Sequence, residues 1–315
     1  MTGNSVESLD KQKKTGKLNE VKGGLGLLQA LFLILIVSGV SAQDIFRKQY
    51  TLRRPRSGAA MRWYTVVMTA AVLITFLVLG GFRLSWQPAV VPYALVFAVG
   101  YTAAVQCILI ATKEGSLALT ALVSSYSLII PVFAGVFWLD EKLGLLRIAA
   151  IAMLAVSIYL LNRKTESTHI SKKWLLAAAG VFVGNGTCSS ALKMQQHMFV
   201  GQHRTEFLVY GMAVVLTLSL VIALLSKKEQ GEKTGALLKD CLGLASATGG
   251  ANGCVNVLAS ILGEWIPASL QYPLTSASTM AAGVIVARLL YKEKLDRLQQ
   301  LGFFMAVASI VLLNL

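Results

Sequence analysis

The sequence predicts an all-α integral membrane protein, with ten transmembrane helices arranged as two inverted five-helix repeats. Three observations predict it. The chain of 315 residues is 55% hydrophobic and only 14% charged, with a mean hydropathy of +0.65. A water-soluble domain carries about a quarter charged residues, so a soluble surface cannot be built from this composition. The apolar residues also gather into ten runs, most of them near the ~20 residues that span a hydrocarbon core. Finally, part of the first half of the chain recurs in the second.

The elements follow in order. Residues 1–22 are polar and carry Lys11, Lys13, Lys14, Lys17 and Lys22. They read as a mobile tail, and the apolar run behind them is too long for the core of a cleaved leader. The ten runs lie at about 23–43, 62–81, 89–111, 116–139, 146–162, 173–195, 206–226, 236–262, 266–290 and 298–315. They read as helices, because a helix satisfies its backbone within one segment, whereas a barrel would show alternation over segments of about ten residues. The longest polar connections, 44–61, 163–172 and 227–235, leave no room for a soluble domain. Any chemistry must therefore occur within the bundle or at its edges.

The repeat has an offset of 152 residues. Ser124 to Asn162 aligns with Ser276 to Asn314 without a gap, and about a dozen of the 39 positions are identical. Glu141-Lys142-Leu143 falls on Glu293-Lys294-Leu295, and Leu160-Leu161-Asn162 falls on Leu312-Leu313-Asn314. Shared apolar composition would not place a charged corner and a terminal Asn in register. More weakly, the stretch around Arg47 and Lys48 corresponds to that around Lys193 and Met194. The chain thus divides into a first repeat at 23–162, a linker at 163–172 and a second repeat at 173–315. Two consecutive halves of five spans enter the membrane from opposite sides. Such inverted repeats mark secondary transporters, with the substrate site near the midplane between the halves.

Ten spans, two five-helix halves and an acidic-basic corner after the fourth span of each half resemble the drug/metabolite transporter superfamily, in its EamA-type ten-span branch. The residues that carry the resemblance are Ser124 to Pro131, Glu141-Lys142 and Ile148 to Asn162, with Pro273 to Thr279, Glu293-Lys294 and Leu301 to Asn314. The resemblance implies a central cavity lined by spans 1, 3, 4, 6, 8 and 9. It leaves the substrate class open, since members move amino acids, nucleotide sugars, sugar phosphates or drugs. The charge pattern departs from the family. Members keep both termini in the cytoplasm, but an inside N-terminus would leave 18 Lys+Arg in outside loops against 10 inside. The positive-inside rule therefore favours an outside N-terminus, while the lysine-rich tail opposes it.

Polar residues within spans are costly and mark function by default. The candidates for the substrate-binding cavity are Gln43, Tyr101, Gln106, Ser124, Tyr126, Asn185, Lys193, Asn252, Gln271, Tyr272 and Ser276. Pro131 and Pro273 are expected to bend the fourth and ninth helices. Small residues can also serve close helix packing alone, and Gly180xxxGly184 and Gly249xxxGly253 fit that role. Glu141 and Glu293 read as structural, capping or pairing at helix ends. With no carboxylate at mid-span, recognition is expected to rest on hydrogen bonds from neutral side chains.

Other chemistries are poorly represented. The four cysteines form no CxxC, so neither a metal site nor a disulfide framework is expected. The histidines at 169, 197 and 203 build no HExxH, and no GxxxxGK[ST] occurs. No catalytic residue and no cofactor are assigned. The net charge of +14 reads as loop charge facing anionic headgroups rather than as a nucleic-acid footprint. The expectation is a secondary transporter, monomeric or homodimeric, in the cell membrane. It would move a small polar or amphipathic metabolite, with or without a coupling ion. The alternatives are an intramembrane lipid-modifying enzyme and a non-transporting subunit or sensor.

Overall fold

A computed structural model of the chain describes residues 26–43, 45–47, 49–50, 53, 58–114, 123–124, 126–127, 129–161, 171–200, 202–226, 234–291 and 297–313. The N-terminal tail, the linker at 163–170 and the second corner, Glu293-Lys294, lie outside the described residues. Among the described residues there is no strand. In chain order the helices are α1 (Gly26–Arg47), α2 (Gly58–Leu79), α3 (Val91–Glu114), α4 (Ile129–Trp138), α5 (Leu145–Leu161), α6 (Lys172–Met198), α7 (Arg204–Leu225), α8 (Thr234–Trp265), α9 (Ala268–Tyr291) and α10 (Arg297–Leu313). Each falls on one of the ten apolar runs. Among the described residues, five stretches, Gly26–Arg47, Gly58–Leu79, Pro88–Ile108, Lys172–Met198 and Arg204–Leu225, are long and apolar enough to cross a membrane. α4 and α5 are shorter apolar helices. The chain is a helical membrane protein by these measures.

Local chemistry sets the helix ends. α2 stops where Gly81 takes a φ of 64°. There the Phe82 N–H reaches back to Leu77 O at 2.9 Å and the Gly81 N–H to Val78 O at 3.0 Å, the paired closure in which glycine is favoured for its freedom at positive φ. Pro88 opens a short 3-10 turn, Pro88–Val90, that leads into α3. Its missing N–H costs nothing at that position. Ser171 caps α6, its hydroxyl accepting from the Trp174 N–H at 3.0 Å.

The fourth span departs from the uninterrupted helix expected over 116–139. Residues 123, 124 and 126 are helical, Ser127 makes a turn, and α4 then begins at Ile129. Pro131 supplies the reason. It has no N–H to give Ser127 O, and that carbonyl instead accepts from the Ile130 N–H at 3.1 Å, a tighter i→i+3 bond. Pro273 lies inside α9, which continues through it.

The helices pack pairwise. α3 lies against α6 and α7, α2 against α7 and α8, α5 against α10, α4 against α6 and α9, and α9 against α10. Glycines permit the closest crossings. A Cβ at Gly100 would stand 2.8 Å from Cys188 N and 2.9 Å from Gly184 O, so the backbones of α3 and α6 touch there. On α8, Gly249 faces the Met68 carbonyl and Gly253 faces Thr75 of α2. The largest apolar core joins Val72 and Phe76 of α2, Ala94 and Phe97 of α3, Leu192 of α6 and Phe207 and Met212 of α7. Leu176, Leu225 and Leu145 stand exposed on the outer faces, as lipid-facing positions do.

Candidate functional site

Two polar groupings occupy the interior. The first joins α1, α3 and α8. Gln43 sits in the last turns of α1, buried, and its amide nitrogen donates to Gly39 O at 3.3 Å. The opposite face of that amide is then free for α8, which α1 approaches closely because Gly39 leaves room for Val255. The Asn252 Nδ2 donates to Gln43 Oε1 at 2.8 Å. The Asn252 Oδ1 accepts from Asn256 Nδ2 at 3.0 Å and from the Tyr101 hydroxyl of α3 at 3.4 Å. Three helices, drawn from both halves of the chain, therefore share one neutral network. One turn earlier on α8, Thr248 meets the Tyr64 hydroxyl of α2 at 2.6 Å.

The second grouping surrounds the break between α8 and α9. Lys193 of α6 is 5% exposed. Its ammonium donates to Gly263 O, in the last turn of α8, at 2.8 Å and to Ile266 O, just past its end, at 2.9 Å, carbonyls that an ended helix leaves open. Glu141, from the corner between α4 and α5, accepts from the Ala268 N–H at 2.7 Å and the Ser269 N–H at 3.0 Å, the first amides of α9. Cation and carboxylate thus each sit at the helix end whose dipole favours them, and they lie 3.9 Å apart.

Around this break polar atoms accumulate without partners. Gln271 donates to Ala259 O at 2.7 Å, but its Oε1 finds no partner among the described residues. Neither do both amide atoms of Gln196 or the hydroxyls of Ser190, Ser260 and Ser269. Arg204 at the start of α7 pairs with Glu264 at the end of α8. Two residues on, Glu206 accepts from Ser85 of the α2–α3 connection through N–H and hydroxyl, at 3.3 and 2.7 Å. Tyr210 closes the same joint by donating to Ser85 O at 2.7 Å.

The remaining candidates are distributed as follows. Asn185 donates to the Ser124 hydroxyl at 2.8 Å, linking α6 to the stretch before α4. The Tyr272 hydroxyl donates to Ser189 O at 2.8 Å, linking α9 to α6. Tyr126 points to α5, donating to Ala155 O at 2.7 Å. Gln106 is half-buried on α3 and Ser276 buried on α9. Gln43, Tyr101 and Asn252 thus form one cluster, while Lys193 and Gln271 belong to the corner. Sequence reasoning passes over Tyr64, Asn256, Arg204 and Glu264. Asn252 and Asn256 stand four apart on one helix face, a signal that would have found Asn256. Glu141 is seen to cap a neighbouring helix. The described residues group no three His, Cys, Asp or Glu that could hold a metal.

No family profile and no curated protein matches this sequence. A solved crystal structure of a protein shares the fold, with a TM-score of 0.68 over 90% of this chain and 98% of that one. The two chains are 12% identical, so the likeness speaks for the fold alone.

Proposed function

We propose that this protein is a secondary transporter of the drug/metabolite type, with ten spans in two inverted repeats. In this reading it moves a small polar or amphipathic metabolite across the cell membrane by alternating access. The observation that carries the proposal is the neutral network of Gln43, Asn252 and Tyr101. It joins helices of both halves inside the bundle, where polar side chains within spans are costly and mark function by default. Its amides and hydroxyl offer donors and acceptors without fixed charge, which suits a polar, uncharged or zwitterionic solute. The packing supports the repeat. Exchanging helices 1–5 for helices 6–10 turns the α2–α8 contact into the α7–α3 contact and returns α2–α7, α4–α9 and α5–α10 to themselves, and all of these pairs occur.

The test has two steps. Thermal-shift screening of the purified protein against metabolite pools identifies a ligand by the stability it adds. Flux of that ligand into proteoliposomes then follows, with Asn252→Ala expected to cut uptake at least tenfold. Turnover of a lipid without solute flux would replace this reading with an enzymatic one.

A further inference from the structure

The break between α8 and α9 unites two features. It is held by two charged side chains from elsewhere in the chain, and it covers a group of buried polar side-chain atoms that find no protein partner among the described residues. Lys193 takes the last carbonyls of α8, and Glu141 takes the first amides of α9. Between them they grip both sides of Pro267. Glu141 comes from the first half, and Lys193, α8 and α9 from the second. Beneath the grip, Gln196 is 2% and Ser260 0% exposed, yet both Gln196 amide atoms and the Ser260 hydroxyl lack partners. The Gln271 Oε1 joins them: a Cβ at Gly263 would stand 2.8 Å from it and would also strike the Gln196 Oε1. Among the described residues, seven buried side-chain atoms lack a protein partner, and all but Thr102 Oγ1 lie on α6, α8 or α9.

Such atoms are poorly served by a permanently closed interior. A buried polar atom without a protein partner is costly, and a fold with no use for such atoms would carry apolar side chains there. The same atoms would be fully satisfied once the corner parts and water enters. The closed arrangement is therefore held by the charged grip and opposed by what it covers. A grip that favours closure over polar atoms that favour water is what a two-state element needs.

We propose that the α8–α9 corner is a latch, held shut by Glu141 and Lys193, whose opening hydrates Gln196, Gln271 and Ser260. The latch rests on the transporter reading only for its purpose, as one gate of alternating access. Its opening is measurable without any transport.

The test labels an engineered cysteine in the full-length protein in lipid nanodiscs. Ser260→Cys is conservative, because the hydroxyl it replaces has no protein partner among the described residues. Ser219→Cys on α7, also buried, is the reference outside the corner. Labelling of each site by a water-soluble maleimide is followed by mass spectrometry of its own peptide, which separates it from Cys107, Cys188, Cys241 and Cys254. Glu141→Gln is expected to raise labelling at position 260 about tenfold, the population change from losing one charged helix cap, and Lys193→Met by more than that, with position 219 unchanged. The charge reversal Glu141→Lys with Lys193→Glu restores opposite charges but sets each against its helix end. It is expected to leave position 260 as open as the single variants do. Unchanged labelling at position 260, or an equal rise at position 219, overturns the latch. Rescue by the charge reversal overturns the helix-end account of its grip. If the grip variants do not fold, the Ser260→Cys protein alone decides: the latch requires faster labelling at 260 than at 219. Labelling as predicted in a protein that moves no solute would leave the latch standing and remove the transporter reading.

Discussion

The Lys193 ammonium lies 3.9 Å from the Glu141 carboxylate, and each also closes one side of the same helix break. The pair is a modest direct contact with strong secondary bonds. Lys193 makes its close hydrogen bonds to Gly263 O and Ile266 O, and Glu141 to the amides of Ala268 and Ser269. The break itself explains why two buried charges are tolerated. An ended helix exposes carbonyls, a started helix exposes amides, and in an apolar interior both must be met.

Lys193→Met is expected to destabilise the fold by about 3 kcal/mol, because it leaves Glu141 buried without its cation and two carbonyls without a donor. Glu141→Gln keeps one acceptor oxygen and is expected to cost less, about 1–2 kcal/mol. Thermal unfolding in detergent measures both, and the order of the two losses is the prediction. A Glu141→Gln loss larger than that of Lys193→Met would contradict it.

The glycines divide into two groups that behave oppositely on substitution. Gly100→Ala sets a Cβ against Gly184 O at 2.9 Å and Cys188 N at 2.8 Å. These are backbone atoms that cannot turn aside, so α3 and α6 must separate at a cost of about 1–3 kcal/mol. Gly250→Ala meets nothing within 4 Å and gains helix propensity, up to about 1 kcal/mol. The first variant is expected to lower the unfolding temperature and the second to hold or raise it.

How much of this was legible follows from what each interaction depends on. Helix positions depend on local apolar runs, so all ten runs coincide with helices to within a few residues, apart from the start of α4. The turn at Ser127 was less legible. Pro131 announced a distortion, but the site of rearrangement follows from the carbonyl four residues earlier, which loses its donor. The partners of Glu141 and Lys193 lie 127 and 70 residues away in sequence. No periodicity brings a corner carboxylate to the start of a helix in the other half. Gln43 and Asn252 were readable as polar exceptions within spans, but their pairing across α1 and α8 was not. Gln196 was readable as one of the polar residues of its span, but its burial without a protein partner among the described residues was not, because burial depends on the helices packed over it.

The Gln43–Asn252 bond is a cross-helix contact that a double-mutant cycle can isolate. Gln43→Leu and Asn252→Leu, alone and together, are expected to show a coupling of about 0.6–1 kcal/mol in unfolding free energy, typical of such bonds between membrane helices. Additive losses would mean that the two amides do not share a bond in the membrane.

Pro131→Ala tests whether the interruption before α4 comes from the proline alone. Alanine restores an N–H that can reach Ser127 O, which now accepts from Ile130 at 3.1 Å. It also removes the ring that crowds that carbonyl. The turn at Ser127 would then have less reason to persist, and the segment from Val123 to Ile130 would join α4 as a continuous helix. Hydrogen exchange of the peptide spanning 123–131 is expected to slow by at least tenfold, with the α3–α6 crossing at Gly100 and Gly184 unchanged. If the turn serves motion between states, flux should fall while the unfolding temperature rises, since a helix made continuous resists the change it formerly absorbed. Exchange as fast as in the parent protein would assign the interruption to the Ser124–Ser127 hydrogen bonds instead, where the Ser127 hydroxyl donates to Ser124 O at 2.6 Å.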